Sequence, residues 1–109
     1  MERQPSFWEP MTDQLILAVL GKLGEEANET AQRVCRCIIQ GLNEFDPDTK
    51  ASNKHELEKE IGDLEANIEL AKQYLSLRRD YIEKRKGEKL IYTGKWLSNL
   101  KEKGNQNGI

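Results

Sequence analysis

Five carboxylates in this chain stand at spacings that suit a cation. Glu25, Glu26 and Glu29 fall within KLGEEANETAQRV, and Glu60 and Asp63 within KEIGDLEANIEL. Residues three and four apart on a helix are neighbours, so each stretch sets its acids side by side. There each carboxylate raises the electrostatic cost of the others unless a positive charge neutralises them. An all-oxygen set of this kind suits Mg²⁺ or Mn²⁺ far better than zinc. A di-iron bundle also gathers glutamates, but it requires Glu-x-x-His on two helices, and the single histidine, His55, has no such partner. The competing explanation is a solvated acidic face.

At 100° per residue, Glu26 and Glu29 lie roughly 70° and 130° from the centre of an apolar stripe, and Glu60 and Asp63 lie roughly 60° and 120° from theirs, in the same rotational sense. Two antiparallel helices packed stripe to stripe would therefore bring both pairs to one side. The depths differ. Glu26 lies about 16 residues before its helix ends and Glu60 about 7 after its helix begins, a mismatch of roughly 13 Å that the intervening loop must climb.

The elements that position these acids follow from periodicity. Thr12 and Asp13 mark a helix start. Ile16, Leu20, Leu23, Ala27, Ala31, Val34 and Ile38 then recur at three- and four-residue steps up to Gly41, as one helix or as two broken near Gly21 and Gly24. NEFDPDTKAS, residues 43–52, has turn chemistry and reads as a loop. Asn53 with Glu56 forms a capping pair for a second helix, whose stripe is Leu57, Ile61, Leu64, Ile68 and Leu75, running to about Arg79. A basic third stretch runs from Tyr81 to about Tyr92, with a turn at Thr93-Gly94 before a short segment holding Trp96, Leu97 and Leu100. Residues 1–11 read as an arm and 104–109 as a frayed tail.

Composition agrees with an all-α chain. Charged residues make up 33% of the 109, hydrophobic residues 37%, and there are only three prolines, which fits long amphipathic helices better than a turn-rich β-sandwich. The length suits one domain, 1–109. The formal charge of −2 hides an asymmetry: residues 1–77 hold 8 Lys and Arg against 15 Asp and Glu, whereas residues 78–109 hold 9 against 4. Cys35 and Cys37 read as reduced thiols, since positions two apart on a helix point away from each other. With no apolar run longer than Leu15–Leu20, the expectation is a soluble, cytoplasmic protein with no membrane partner. A short basic stretch in an acidic chain also argues against nucleic acid as partner.

The pattern EExxE at Glu25, Glu26 and Glu29, followed by ExxD at Glu60 and Asp63, resembles the signature of the MazG-like all-α nucleoside triphosphate pyrophosphohydrolases over about residues 15–78. The resemblance implies Mg²⁺-dependent cleavage between the α and β phosphates of a nucleotide, giving a monophosphate and pyrophosphate. By position, Glu26, Glu29, Glu60 and Asp63 would ligate the metal, Mg²⁺ or Mn²⁺, and Glu25 would sit behind them or orient water, so that Glu25 and Glu26 serve catalysis. A triphosphate needs cations on its far side, for which Arg85, Lys86, Lys89 and Lys95 are candidates, Lys86 and Lys89 foremost. Asn67, one turn after Asp63, is a candidate contact for ribose or base, and Trp8, Tyr92 and Trp96 for stacking on a base.

Two helices in so short a chain leave Val19, Cys37, Ile39 and Leu70 off the main face, which predicts a helical bundle completed by oligomerisation, as a homodimer or homotetramer. A helical interaction or nucleotide-sensing protein without turnover is the alternative.

Overall fold

The computed structural model describes residues 8–106; most of the expected arm and the last residues of the expected tail lie outside them. Within them the chain is all-helical: α1, Gln14–Gln40; α2, Asn53–Tyr74; and α3, Arg79–Gln106. The chain divides after Leu77 into two compact units, α1 with α2 and α3 by itself.

Asp13 opens α1 by accepting the Ile16 N–H at 3.0 Å, the cap its side chain suits. Gly21 and Gly24 do not interrupt the helix, because a glycine inside a helix costs only about 1 kcal/mol. Gly41 ends it, with φ of +105°, a conformation open to a residue without Cβ. The start of α2 is shifted from expectation. Ser52, not Asn53, is the cap and accepts the His55 N–H at 3.1 Å. Asn53 is thereby freed for a buried role.

α1 packs against α2, but not stripe to stripe. The α1 positions withdrawn from solvent are Ile16, Val19, Leu23, Glu26, Glu29, Thr30, Arg33 and Cys37, whereas Leu20, Ala27, Ala31, Val34 and Ile38 stay exposed, Ile38 at 77%. On α2, Leu57 and Leu64, with Leu75 at its C-cap, turn inward while Ile61 and Ile68 remain exposed. Ala71 is the only fully buried hydrophobic residue among those described, against Glu26, Asp46, Asn53 and Glu56 as buried polar ones. Only Ile16 and Leu23 of the expected α1 stripe are withdrawn; its other five positions stay open to solvent. Hydrogen bonds fixed on Arg33, Cys37 and Asn53 rotate the helix so that its mixed face is inside.

α3 runs unbroken through Thr93-Gly94, where the sequence predicts a turn. Threonine and glycine are weak helix formers, and a 28-residue helix absorbs both. It also continues past Gly104, into what the sequence predicts as frayed tail.

Candidate metal centre

The loop between α1 and α2 sets their register. Asp46, 1% exposed, anchors it. Its Oδ1 accepts the N–H groups of Asp48 at 2.7 Å and Thr49 at 3.3 Å, which closes the turn, and its Oδ2 accepts from Arg33 Nη1 at 2.8 Å and Arg36 Nη1 at 2.7 Å, which pins the turn to α1. Arg33, and next the Asp48 N–H, hold the Asp46 carboxyl far below the usual carboxylate range against the opposing pull of burial. Arg33 Nη1 also donates to Asn53 Oδ1 at 3.0 Å, and Nη2 stands 3.9 Å from Glu56 Oε2. Asn53 in turn donates to Gln40 Oε1 and to the Gly41 carbonyl. Buried polar groups are stable only when matched in this way.

These bonds settle the depth problem. Cys37 Sγ meets the Asn53 carbonyl at 3.8 Å, and Thr30 Oγ1, whose hydroxyl donates to the Glu26 carbonyl of its own helix at 2.8 Å, stands 3.3 Å from the Glu60 carbonyl. The centre of the Glu26/Glu29 pair and that of the Glu60/Asp63 pair are thus nearly equidistant from the Cys37–Asn53 contact. The loop makes up the remainder by returning along the helix ends, with Lys54 N–H on the Leu42 carbonyl and Asn53 N–H on the Glu44 carbonyl, both at 2.8 Å.

Carboxylates from both helices converge as a result. Oxygens of Glu26, Glu60 and Asp63 lie within 4.8 Å of one another, as do oxygens of Glu25, Glu26 and Glu29. Glu26 belongs to both groups and is buried, while Glu25 and Asp63 are exposed. Glu26 Oε2 and Glu60 Oε2 are buried without a hydrogen-bond partner, which is costly for an acceptor shut away from water. Glu26, then burial, Glu60 and Glu25 push the Glu29 carboxyl up from its ordinary value. Lys22 offsets part of this charge, its Nζ at 3.2 Å from Glu25 Oε1 and 3.4 Å from Glu26 Oε1, and the pair of acids raises the lysine's own pKa, Glu25 foremost.

The donor set fits a hard divalent cation. All ligands are oxygens, two of them lack donors, and ligands at about 2.0–2.1 Å from Mg²⁺ stand at most about 4.2 Å apart, so oxygens within 4.8 Å of one another need at most a small side-chain adjustment to close on an ion. Glu25, Glu26, Glu29, Glu60 and Asp63 are thus brought together as two groups of three that share Glu26. Asn67 donates its amide to the Asp63 carbonyl at 2.9 Å, one turn along α2. Lys86 and Lys89 lie on α3, in the second unit, where they line a groove with Leu90, Thr93, Gly94 and Leu97, and Lys89 Nζ lies 5.9 Å from the Tyr92 ring centre.

Sequence reasoning missed Arg33 and Asp46, and read Asn53 only as a helix cap. The signal was an arginine pair at i and i+3 in an acidic half of the chain, followed by Asp-Pro-Asp, a turn whose first carboxylate can close on its own backbone. Among the described residues no helix is long and apolar enough to cross a membrane. Comparison of the chain with protein-family models, with curated proteins and with solved structures finds no match.

Proposed function

We propose that the chain is a Mg²⁺-dependent nucleotide pyrophosphohydrolase of the MazG-like kind, cleaving a nucleoside triphosphate to monophosphate and pyrophosphate. The observation that supports this reading best is the cluster of Glu26, Glu60 and Asp63 oxygens, drawn from two helices, with two buried acceptors lacking a donor. Glu26, Glu29, Glu60 and Asp63 would hold the ion, Mg²⁺ or Mn²⁺, and Glu25, exposed beside them, would orient water. A divalent cation supplies charge neutralisation for the phosphates and a lowered pKa for bound water. Lys86, Lys89 and Asn67 are the further substrate contacts in this reading.

The helices α1 and α2 would form the long antiparallel pair of a bundle that self-association completes, as a dimer or tetramer in the cytoplasm. The inverted packing supports this. A face that keeps Val34 and Ile38 in water while Glu26 and Arg33 are enclosed is unfavourable for an isolated chain. The same open face favours the alternative of a helical interaction or sensing protein without turnover.

Pyrophosphate release from a panel of nucleoside triphosphates with Mg²⁺ separates the two. Glu26→Gln and Glu60→Gln should abolish release while leaving the helical circular dichroism intact, since each keeps shape and removes a ligand charge. Wild-type turnover in Glu60→Gln would overturn the site.

A further inference from the structure

Beside the carboxylates, a cleft of about 230 Å³ is lined by Glu29, Gln32, Arg33, Arg36 and Glu60. Its two ends differ in chemistry. Glu29 and Glu60 stand at one, and the amide of Gln32 and two guanidinium groups continue along the same side of α1, because positions 29, 32, 33 and 36 follow helical spacing. Glu29 and Arg36 are seven residues apart, about 10 Å along the axis.

The two arginines are not equivalent. Arg33, whose side chain is 11% exposed, is committed to Asp46, Asn53 and Glu56. Arg36 is 48% exposed, and its bond to Asp46 uses Nη1. That leaves the Nε–Nη2 edge, the planar fork that matches two oxygens of a phosphate. The Asp46 bond also restrains the side chain before any ligand arrives, which lowers the entropy lost on binding. Gln32 lies one turn before Arg36 and is exposed.

We propose that Arg36, with Gln32 beside it, forms a phosphate-binding wall of this cleft, holding the far phosphates of a polyphosphate chain whose near end meets a cation at the carboxylates. The assignment rests on the metal reading and deepens it, by adding to the expected lysines of α3 a phosphate contact within the α1–α2 unit. A cleft with carboxylates at one end and a guanidinium fork at the other suits an extended di- or triphosphate better than a single phosphate.

The test is titration calorimetry of the full chain with inorganic tripolyphosphate in saturating Mn²⁺, alongside Mn²⁺ binding followed by electron paramagnetic resonance. Arg36→Ala should weaken tripolyphosphate by about tenfold or more, the loss expected for a charge-assisted fork, with a much smaller loss of Mn²⁺ affinity, because Arg33 still holds Asp46 and the loop. Arg36→Lys should recover part of the loss, and Gln32→Ala should weaken binding severalfold. If Arg36→Ala does not fold, Gln32→Ala and Arg36→Lys decide, and wild-type tripolyphosphate affinity in both overturns the assignment. So does wild-type protein that binds Mn²⁺ but not tripolyphosphate. Arg36-dependent tripolyphosphate binding without pyrophosphate release would keep the subsite and refute the hydrolase. Nucleotide turnover with an unchanged KM and unchanged tripolyphosphate affinity in Arg36→Ala would do the reverse.

Discussion

Glu60→Gln should make the metal-free protein more stable and the metal-loaded protein less so. Glu60 shares its cluster with Glu26 and Asp63, with oxygens within 4.8 Å. Two charges at that limiting separation repel by about 0.9 kcal/mol in bulk water and about 3.5 kcal/mol at an effective dielectric of about 20. Losing two such pairs relieves between about 2 and 7 kcal/mol in gross terms. Asp63 is exposed and Lys22 already partly neutralises Glu26, so the lower end applies. A gain of about 2 kcal/mol corresponds to about 10 °C in melting temperature for a chain of this size.

With Mg²⁺ at a hundred times its dissociation constant, the wild type should gain about 2.7 kcal/mol, most of which the variant forfeits with a ligand charge. The order of melting temperatures therefore inverts between EDTA and millimolar Mg²⁺. Thermal denaturation by circular dichroism at fixed protomer concentration measures this. A variant that melts below wild type in EDTA would show that Glu60 serves as a structural partner, and a wild type indifferent to Mg²⁺ would remove the metal altogether.

Light scattering at micromolar concentration should give a dimer or tetramer, and Ile38→Asp, on the open face of α1, should shift the mass toward monomer; a monomeric wild type refutes the assembly. Asp46, whose pKa is lowered on folding, contributes stability that is fully present above its ordinary value of 3.8 and drains as pH falls below it. Glu29, whose pKa is raised, has the opposite sign: its contribution is present below 4.5 and lost as pH rises through its shifted value. Metal-free protein should thus melt highest in mildly acidic solution, and Asp46→Asn should remove the acid-side fall while lowering the melting temperature overall. Gly94→Ala, where a new methyl group meets nothing within 4 Å, should stabilise α3 by about 0.5–1 kcal/mol, whereas Gly41→Ala, at φ +105°, should destabilise by more than that.

Helix existence and the identity of the clustered acids were legible because both depend on spacing of three and four residues, which a sequence displays directly. Asp13 and Gly41 announced the ends of α1 through capping chemistry. The rotation of α1 was not legible. Apolar periodicity nominates Leu20, Val34 and Ile38 for the α2 face, but Arg33 bonds to the loop and to α2, Cys37 and Thr30 stand against α2 carbonyls, and only Ile16 and Leu23 of the stripe are withdrawn from solvent. The depth match was hidden for the same reason, since it depends on Asp46 folding the loop back against Arg33 and Arg36. In α3, Thr93-Gly94 carried a turn signal that a long helix overrides.

Lys22 gives the acidic cluster a resident counterion that cannot diffuse away. Its ammonium stands within 3.4 Å of Glu26, so a cation that settles on that carboxylate replaces a charge already there and does not fill a bare site. A sodium or potassium ion would exchange one unit of charge for one and gain nothing by the swap, while giving up hydration. A divalent ion leaves a surplus of one. At a divalent-cation site the tethered lysine would thereby act as a valence filter, discouraging monovalent ions, and on loss of the ion it would shield Glu26 again.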